Sequence, residues 1–185
     1  MDFITKLPKS KEPMTKVTYD SILMETCKLT KEAYLIPYME ASNAKELAYA
    51  FLKNFVSKHG MPSKIITDRD KLFTSKFWKS LMKQMGGEQK MITAFHPQAN
   101  GQTERMNQTI EQYLRYYVNF QQDNWVELLP MAEFIFNSIE GSTTGVTPFY
   151  ANKGYNPVAY GEPIKGELEN PEAKERAKQL KEIQT

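Results

Sequence analysis

The stretch that decides the fold is Ala94–Met106, AFHPQANGQTERM. Ahead of it, Gln89–Phe95 reads as a strand. Inside it, Pro97 and then Asn100-Gly101 interrupt that pattern, and a long helical period follows. Glu104 falls in the first turn of the predicted helix. Thirty-five residues lie between Asp68 and Glu104, and a third acid, Asp2, sits in the apolar run MDFITKL. Each acid alone has a plain reading. Asp68 in TDRD suits a turn, Glu104 suits the positive end of a helix dipole, and Asp2 is a polar residue near a terminus. Together they have a sharper one. Hard divalent cations take oxygen ligands, and two of them about 3.5–4 Å apart clamp the attacking and leaving oxygens of a phosphodiester. Strand ends and helix faces hold such ligands firmly.

Periodicity around this stretch gives a mixed α/β domain. Strands are predicted at Met1–Leu7, Lys16–Thr26 and Glu32–Tyr38, with Pro37 marking an edge, then at Lys64–Thr67 and about Gln89–Thr93. A helix capped by Ser42 or Asn43 runs to about Lys58 and is ended by Gly60 and Pro62. Another starts at Thr74 or Ser75 and closes at Gly86-Gly87. From Gln102 to about Gln121, residues Met106, Ile110, Tyr113, Leu114 and Tyr117 form one apolar stripe. Glu104, Gln108, Glu111 and Arg115 face the other way. Trp125–Ser138, with Asn124 as its cap, carries more apolar surface than one core face needs. It reads either as a buried helix or as a partner-facing one. Gly141–Pro163 is rich in turn residues. Residues 1–160 are expected to form one domain, with 161–185 as a linker or helical extension.

The composition excludes several classes. A single cysteine, Cys27, and two distant histidines offer neither a disulfide framework nor zinc-ligand spacing, and point to a reducing compartment. No apolar run approaches membrane-spanning length, and the N-terminus does not read as a signal peptide. The abrupt start in a strand predicts upstream sequence. The net charge of +2 is unevenly spread: residues 1–90 hold 16 Lys+Arg against 10 Asp+Glu, and the remainder 8 against 12. A basic half can favour a polyanion, although a solvated lysine-rich surface gives the same count.

The motifs MDFI (1–4), KLTK (28–31), ITDRD (66–70), HPQANGQTER (96–105), NWVELLP (124–130) and TGVTPFYANKGYNP (144–157) stand in an order that resembles the retroviral-type integrase catalytic cores, gypsy-type LTR retrotransposon integrases in particular. The resemblance covers about residues 1–157. It implies an RNase H-like fold, a five-stranded mixed sheet flanked by helices. It also implies Asp2, Asp68 and Glu104 as catalytic metal ligands, with two Mg²⁺ (or Mn²⁺) ions. The reactions implied are trimming of cDNA ends and attack of the 3′-OH on target DNA. A flexible loop His96–Gly101, with His96, Gln98 and Asn100, and a helix face with Gln108, Glu111 and Arg115 are expected to approach DNA, mostly through its backbone. His96 is expected to shape the loop rather than act as a base. Partners would be cDNA ends, target DNA and further copies in a dimer or higher oligomer. The setting would be nuclear, with a cytoplasmic virus-like-particle stage.

The chain departs from the family pattern at Met24–Lys28, where METCK replaces a run like VIVDR. Alternation requires Glu25 or Thr26 to face inward or meet a partner. The family's N-terminal zinc-binding domain and a clear C-terminal chromatin- or DNA-binding domain are not seen, which suggests a core fragment. The competing reading is a catalytically retired or host-adopted core serving as a DNA-binding or dimerisation module. A nuclease such as an RNase H is disfavoured by HPQANGQTER.

Overall fold

The computed structural model describes residues 1–91, 97–160 and 170–184, with side chains described except at 97–105, 180 and 182–184. The chain gathers into two compact units, residues 1–26 with 34–129, and residues 27–33 with 130–185.

In the first unit, β1 (Asp2–Ile4) pairs antiparallel with β4 (Ser21–Thr26), placing Asp2 opposite Met24 and Phe3 opposite Leu23. On its other side β4 adjoins β5 (Ala33–Tyr38), which is an edge strand, as Pro37 required. β6 (Lys64–Thr67) and β7 (Glu88–Met91) pair in parallel. The Met1 amine donates to the Ile66 carbonyl at 2.8 Å, which lays the start of β1 beside β6. The five expected strands are therefore present, as a three-stranded and a two-stranded ladder meeting at β1 and β6. The predicted strand Lys16–Thr26 is broken at Asp20. Its first part, Thr18–Tyr19 (β3), instead pairs with Ser10–Lys11 (β2), a hairpin strand in the stretch between the first two predicted strands.

Three helices cover one face. α1 (Ala44–Phe51) starts at a complete capping box. The Asn43 side chain accepts from the Lys45 and Glu46 amides, and Glu46 accepts from the Asn43 amide. It continues as a π-helical turn, Leu52–Val56, and a final turn α2 (Ser57–His59), ended by Gly60 at φ 76°. α3 (Lys71–Thr74) was not foreseen. α4 (Lys76–Gln84) begins at Ser75, whose hydroxyl accepts from the Trp78 amide. Leu47, Phe51, Phe73, Trp78 and Met82 pack with Leu23, Ile36 and Ile65 to form the core on this face. Phe73 and Trp78 meet edge to face at 5.7 Å.

α5 runs from Pro97 to Tyr117, five residues earlier than the sequence suggested. Proline at a first helical position has its φ already set, and its missing N–H would have been unpaired there anyway. Residues 97–101 are thus helix rather than loop, while His96 lies outside the described residues. Met106, Ile110 and Leu114 are buried as the stripe predicted, but Tyr117 is exposed. α6 (Trp125–Ser138) matches its prediction. The Asn124 side chain accepts from the Asn119 amide, holding the preceding turn. The hairpin grips the start of α6: Trp125 donates to the Pro8 carbonyl at 2.6 Å, and Ser10 donates to the Asp123 carbonyl and accepts from Val126.

In the second unit, Asn137 of α6 bonds both the amide and the carbonyl of Ala33, at 2.9 and 2.8 Å. A short helix α7 (Pro148–Lys153) lies within the stretch read as turns. It is capped by Thr147 and closed by Gly154 at φ 77°. α8 (Pro171–Gln184) is the charged helix expected at the end. No described helix is long and apolar enough to cross a membrane.

Candidate active site

β1 is short, and alternation gives its residues opposite faces. Phe3 joins the core beneath α1 and α4. Asp2 takes the other face with Met24 and Ile4. That other face is where α5 lies, because the Thr26 hydroxyl donates to the Met106 sulfur at 3.1 Å. The Asn107 side-chain amide donates to Asp2 Oδ2 at 2.9 Å, and the other oxygen, Oδ1, accepts from the Phe3 amide. Residue 104 precedes Asn107 by three positions, about one helical turn, on the same side of α5. The Glu104 side chain, like those of Gln98 and Asn100, lies outside the described residues.

Asp68 follows directly on β6, which the Met1–Ile66 hydrogen bond places beside β1. It is half-buried, and its Oδ1 accepts from the Asp70 amide at 3.1 Å. Burial pushes the Asp68 carboxyl above its ordinary range. The Asp70 hydrogen bond pulls it back, and the charge of Asp2 adds to the rise. Gln89 of β7 braces the region from behind, donating to Thr67 Oγ1 and to the Phe73 carbonyl, both at 3.0 Å.

Two half-buried carboxylates side by side form an all-oxygen donor set suited to a hard cation. The Asn107 Oδ1 is buried with no partner and adds a further oxygen beside them. Among the described residues no cluster of three acidic, histidine or cysteine side chains is gathered. Asp2 and Asp68 are brought together. α5 carries residue 104 to the same side, and Asn107 is the site residue that motif reading did not single out.

Of the residues expected to meet DNA, Gln108 and Arg115 are exposed and Glu111 is half-buried. Glu111 and Arg115 pair with each other at 3.7 Å across one turn. At Met24–Lys28 it is Glu25 that faces inward. It is 1% exposed, with both carboxylate oxygens unpartnered.

No protein-family model matches the chain. It is 32% identical over 158 residues, 85% of its length, to the Transposon Tf2-3 and Tf2-4 polyproteins of Schizosaccharomyces pombe (strain 972 / ATCC 24843). It spans only about a tenth (11%) of those curated relatives. Among solved structures, it resembles the HTLV-2 integrase catalytic core domain in complex with magnesium, in its trimeric form. The TM-score is 0.58 at 17% identity, over 81% of this chain and 94% of that one. It also resembles a chain of the simian T-cell lymphotropic virus intasome in complex with PP2A regulatory subunit B56 gamma, with a TM-score of 0.62 at 14% identity, over 90% and 60% of the two chains. The fold is thus the RNase H-like fold of integrase cores.

Proposed function

We propose that the chain is a retroviral-type integrase catalytic core, the DNA strand transferase core of a retroelement, a reading supported by its retrotransposon polyprotein relatives and by the integrase-core fold. Its reactions would be hydrolytic trimming of cDNA 3′ ends and attack of the new 3′-OH on a target phosphodiester. The observation that carries this reading is the Asn107–Asp2 hydrogen bond, because it brings the helix bearing Glu104 to the strand bearing Asp2, with Asp68 at the neighbouring strand end.

Asp2, Asp68 and Glu104 would hold two Mg²⁺ or Mn²⁺ ions. Bound there, the ions would supply Lewis-acid stabilisation of the attacking and leaving oxygens. The chain's own part is positional. Asn107 fixes the Asp2 carboxylate, and the Asp70 amide and Gln89 fix the strand end at Asp68. His96, Gln98, Asn100, Gln108, Glu111 and Arg115 would approach the DNA. Work on chromosomal target DNA implies a nuclear site of action, after a cytoplasmic particle stage. The chain would work as a dimer or higher oligomer, a reading supported by neighbours solved as trimeric and dimeric forms.

The test is rejoining of a branched DNA that mimics the integration product, with Mg²⁺ or Mn²⁺. The parent should rejoin it, and Glu104→Gln and Asp68→Asn should each abolish the reaction. Full activity in Glu104→Gln would refute the triad. A parent that neither rejoins DNA nor binds Mn²⁺ would favour a retired DNA-binding or dimerisation module.

A further inference from the structure

We propose that the exposed face of α4 is a second nucleic-acid surface, on which Lys76, Lys79 and Lys83 grip the phosphate backbone of a DNA duplex away from the candidate active site. The three lysines recur at i, i+3 and i+7, so they lie within about 60° of one another around the helix and span roughly 10 Å along it. That length is close to the roughly 12 Å width of a duplex major groove. All three are exposed, and no ion pair or hydrogen bond engages their ammonium groups among the described residues. Ser80 and Gln84, both exposed, complete the face, so it presents hydrogen-bond donors throughout.

Two further observations set this face apart from an ordinary solvated helix. Residues 71–85 contain four lysines and no acid, so the charge is not neutralised locally. Lys76 also occupies the first turn of α4, where no acidic residue stands and where the helix dipole disfavours a cation. A residue placed against its local preference points to a demand from outside the helix. Lys79 and Lys83 stand at the edge of a shallow cleft lined also by Met82, Gly86, Gly87, Gln89 and Met91. Glu88, the acid at its rim, is paired with Lys64 at 3.4 Å.

The location decides which DNA this face can hold. α4 packs through Trp78 and Met82 on the sheet face that carries Phe3 and Leu23. Asp2 occupies the opposite face. A duplex on the lysine ridge is therefore a different segment from one whose phosphodiester reaches Asp2 and Asp68. The proposal does not depend on the metal reading. Asp68→Asn should leave ridge binding intact, and loss of the ridge should leave rejoining of a short branched DNA intact.

The experiment is fluorescence anisotropy with a labelled duplex of roughly 30 base pairs, in EDTA, across a salt series. Lys76→Gln/Lys79→Gln/Lys83→Gln is compared with the parent and with Lys9→Gln/Lys11→Gln/Lys16→Gln, which removes the same charge elsewhere. With about 0.9 counterions released per phosphate contact, the ridge variant should flatten the slope of log affinity against log salt by about 2–3. The control variant should keep the parent slope. Lys76→Arg/Lys79→Arg/Lys83→Arg should also keep it, which separates lost charge from a damaged helix. Equal losses in the ridge and control variants, or none in either, would overturn the proposal. So would loss of binding to phosphatidylserine vesicles without loss on DNA.

Discussion

At the scale of single residues, Glu25 is a buried carboxyl with neither oxygen hydrogen-bonded among the described residues. Burial pushes its carboxyl up to about 8, against the opposing pull of the Met1 amine and Lys58. A folded-state value above the unfolded 4.5 means the folded chain holds a proton that the unfolded chain has lost. Glu25's contribution to stability is thus fully present below pH about 4.5 and is lost as the pH rises to about 8. The cost at the upper end is on the order of several kcal/mol. Glu25→Val should therefore raise the urea midpoint at pH 8, and the difference from the parent should shrink towards pH 5. Parallel curves would mean the carboxyl finds a partner in solution. Asn107 gives the second prediction at this scale. It orients a proposed metal ligand, and outer-shell partners of that kind are typically worth 10–100-fold in metal affinity. Asn107→Ala should weaken Mn²⁺ binding by about that factor, measured by titration, while the melting temperature moves little. Sequence could say that Glu25 or Thr26 must turn inward, because strand alternation allows no third choice. It could not single out Asn107, whose role depends on the register between α5 and β1.

At the scale of elements, start and stop signals written in local chemistry were legible. Asn43 with Glu46, Ser75 and Gly60 mark boundaries that the structure keeps. Where boundaries were misread, the deciding contact was not local. The β2–β3 hairpin exists because Ser10 and Pro8 hold the start of α6, more than a hundred residues away. The π-helical turn at Leu52–Val56 adds a residue to one turn and so shifts the face presented by the residues after it, among them His59, whose ring meets the Tyr34 hydroxyl at 2.5 Å. α7 did have a readable signal, Thr147-Pro148 with Gly154 beyond it, hidden among other turn residues. The capping box supplies the prediction here. Asn43→Ala removes two accepted hydrogen bonds at the start of α1 and should cost about 1 kcal/mol in urea unfolding. A larger loss would mean Asn43 also holds the β5–α1 turn.

At the scale of the whole molecule, the question is what the apolar surplus of α6 is for. Its first half needs no partner, since Trp125, Val126, Leu128 and Leu129 are buried in the first unit. Its second half differs: Met131, Phe134, Ile135 and Phe136 are only half-buried. Elsewhere on the chain Tyr116 and Phe120 stand 85% and 97% exposed. Scattered exposed aromatics are common on monomers, so these two alone argue little. A helix whose later turns keep four large apolar side chains partly wet is a stronger sign, because burying them against a second copy would stabilise by roughly 25 cal/mol for each Å² removed from water. Association in solution should then be concentration-dependent. Sedimentation velocity from low to high micromolar should show a rising weight-average coefficient, and Phe136→Ser should push the transition to higher concentration with the unfolding midpoint nearly unchanged. A chain that stays monomeric across that range would remove the partner-facing reading of α6. The self-assembly proposed for this chain would then have to draw on another surface.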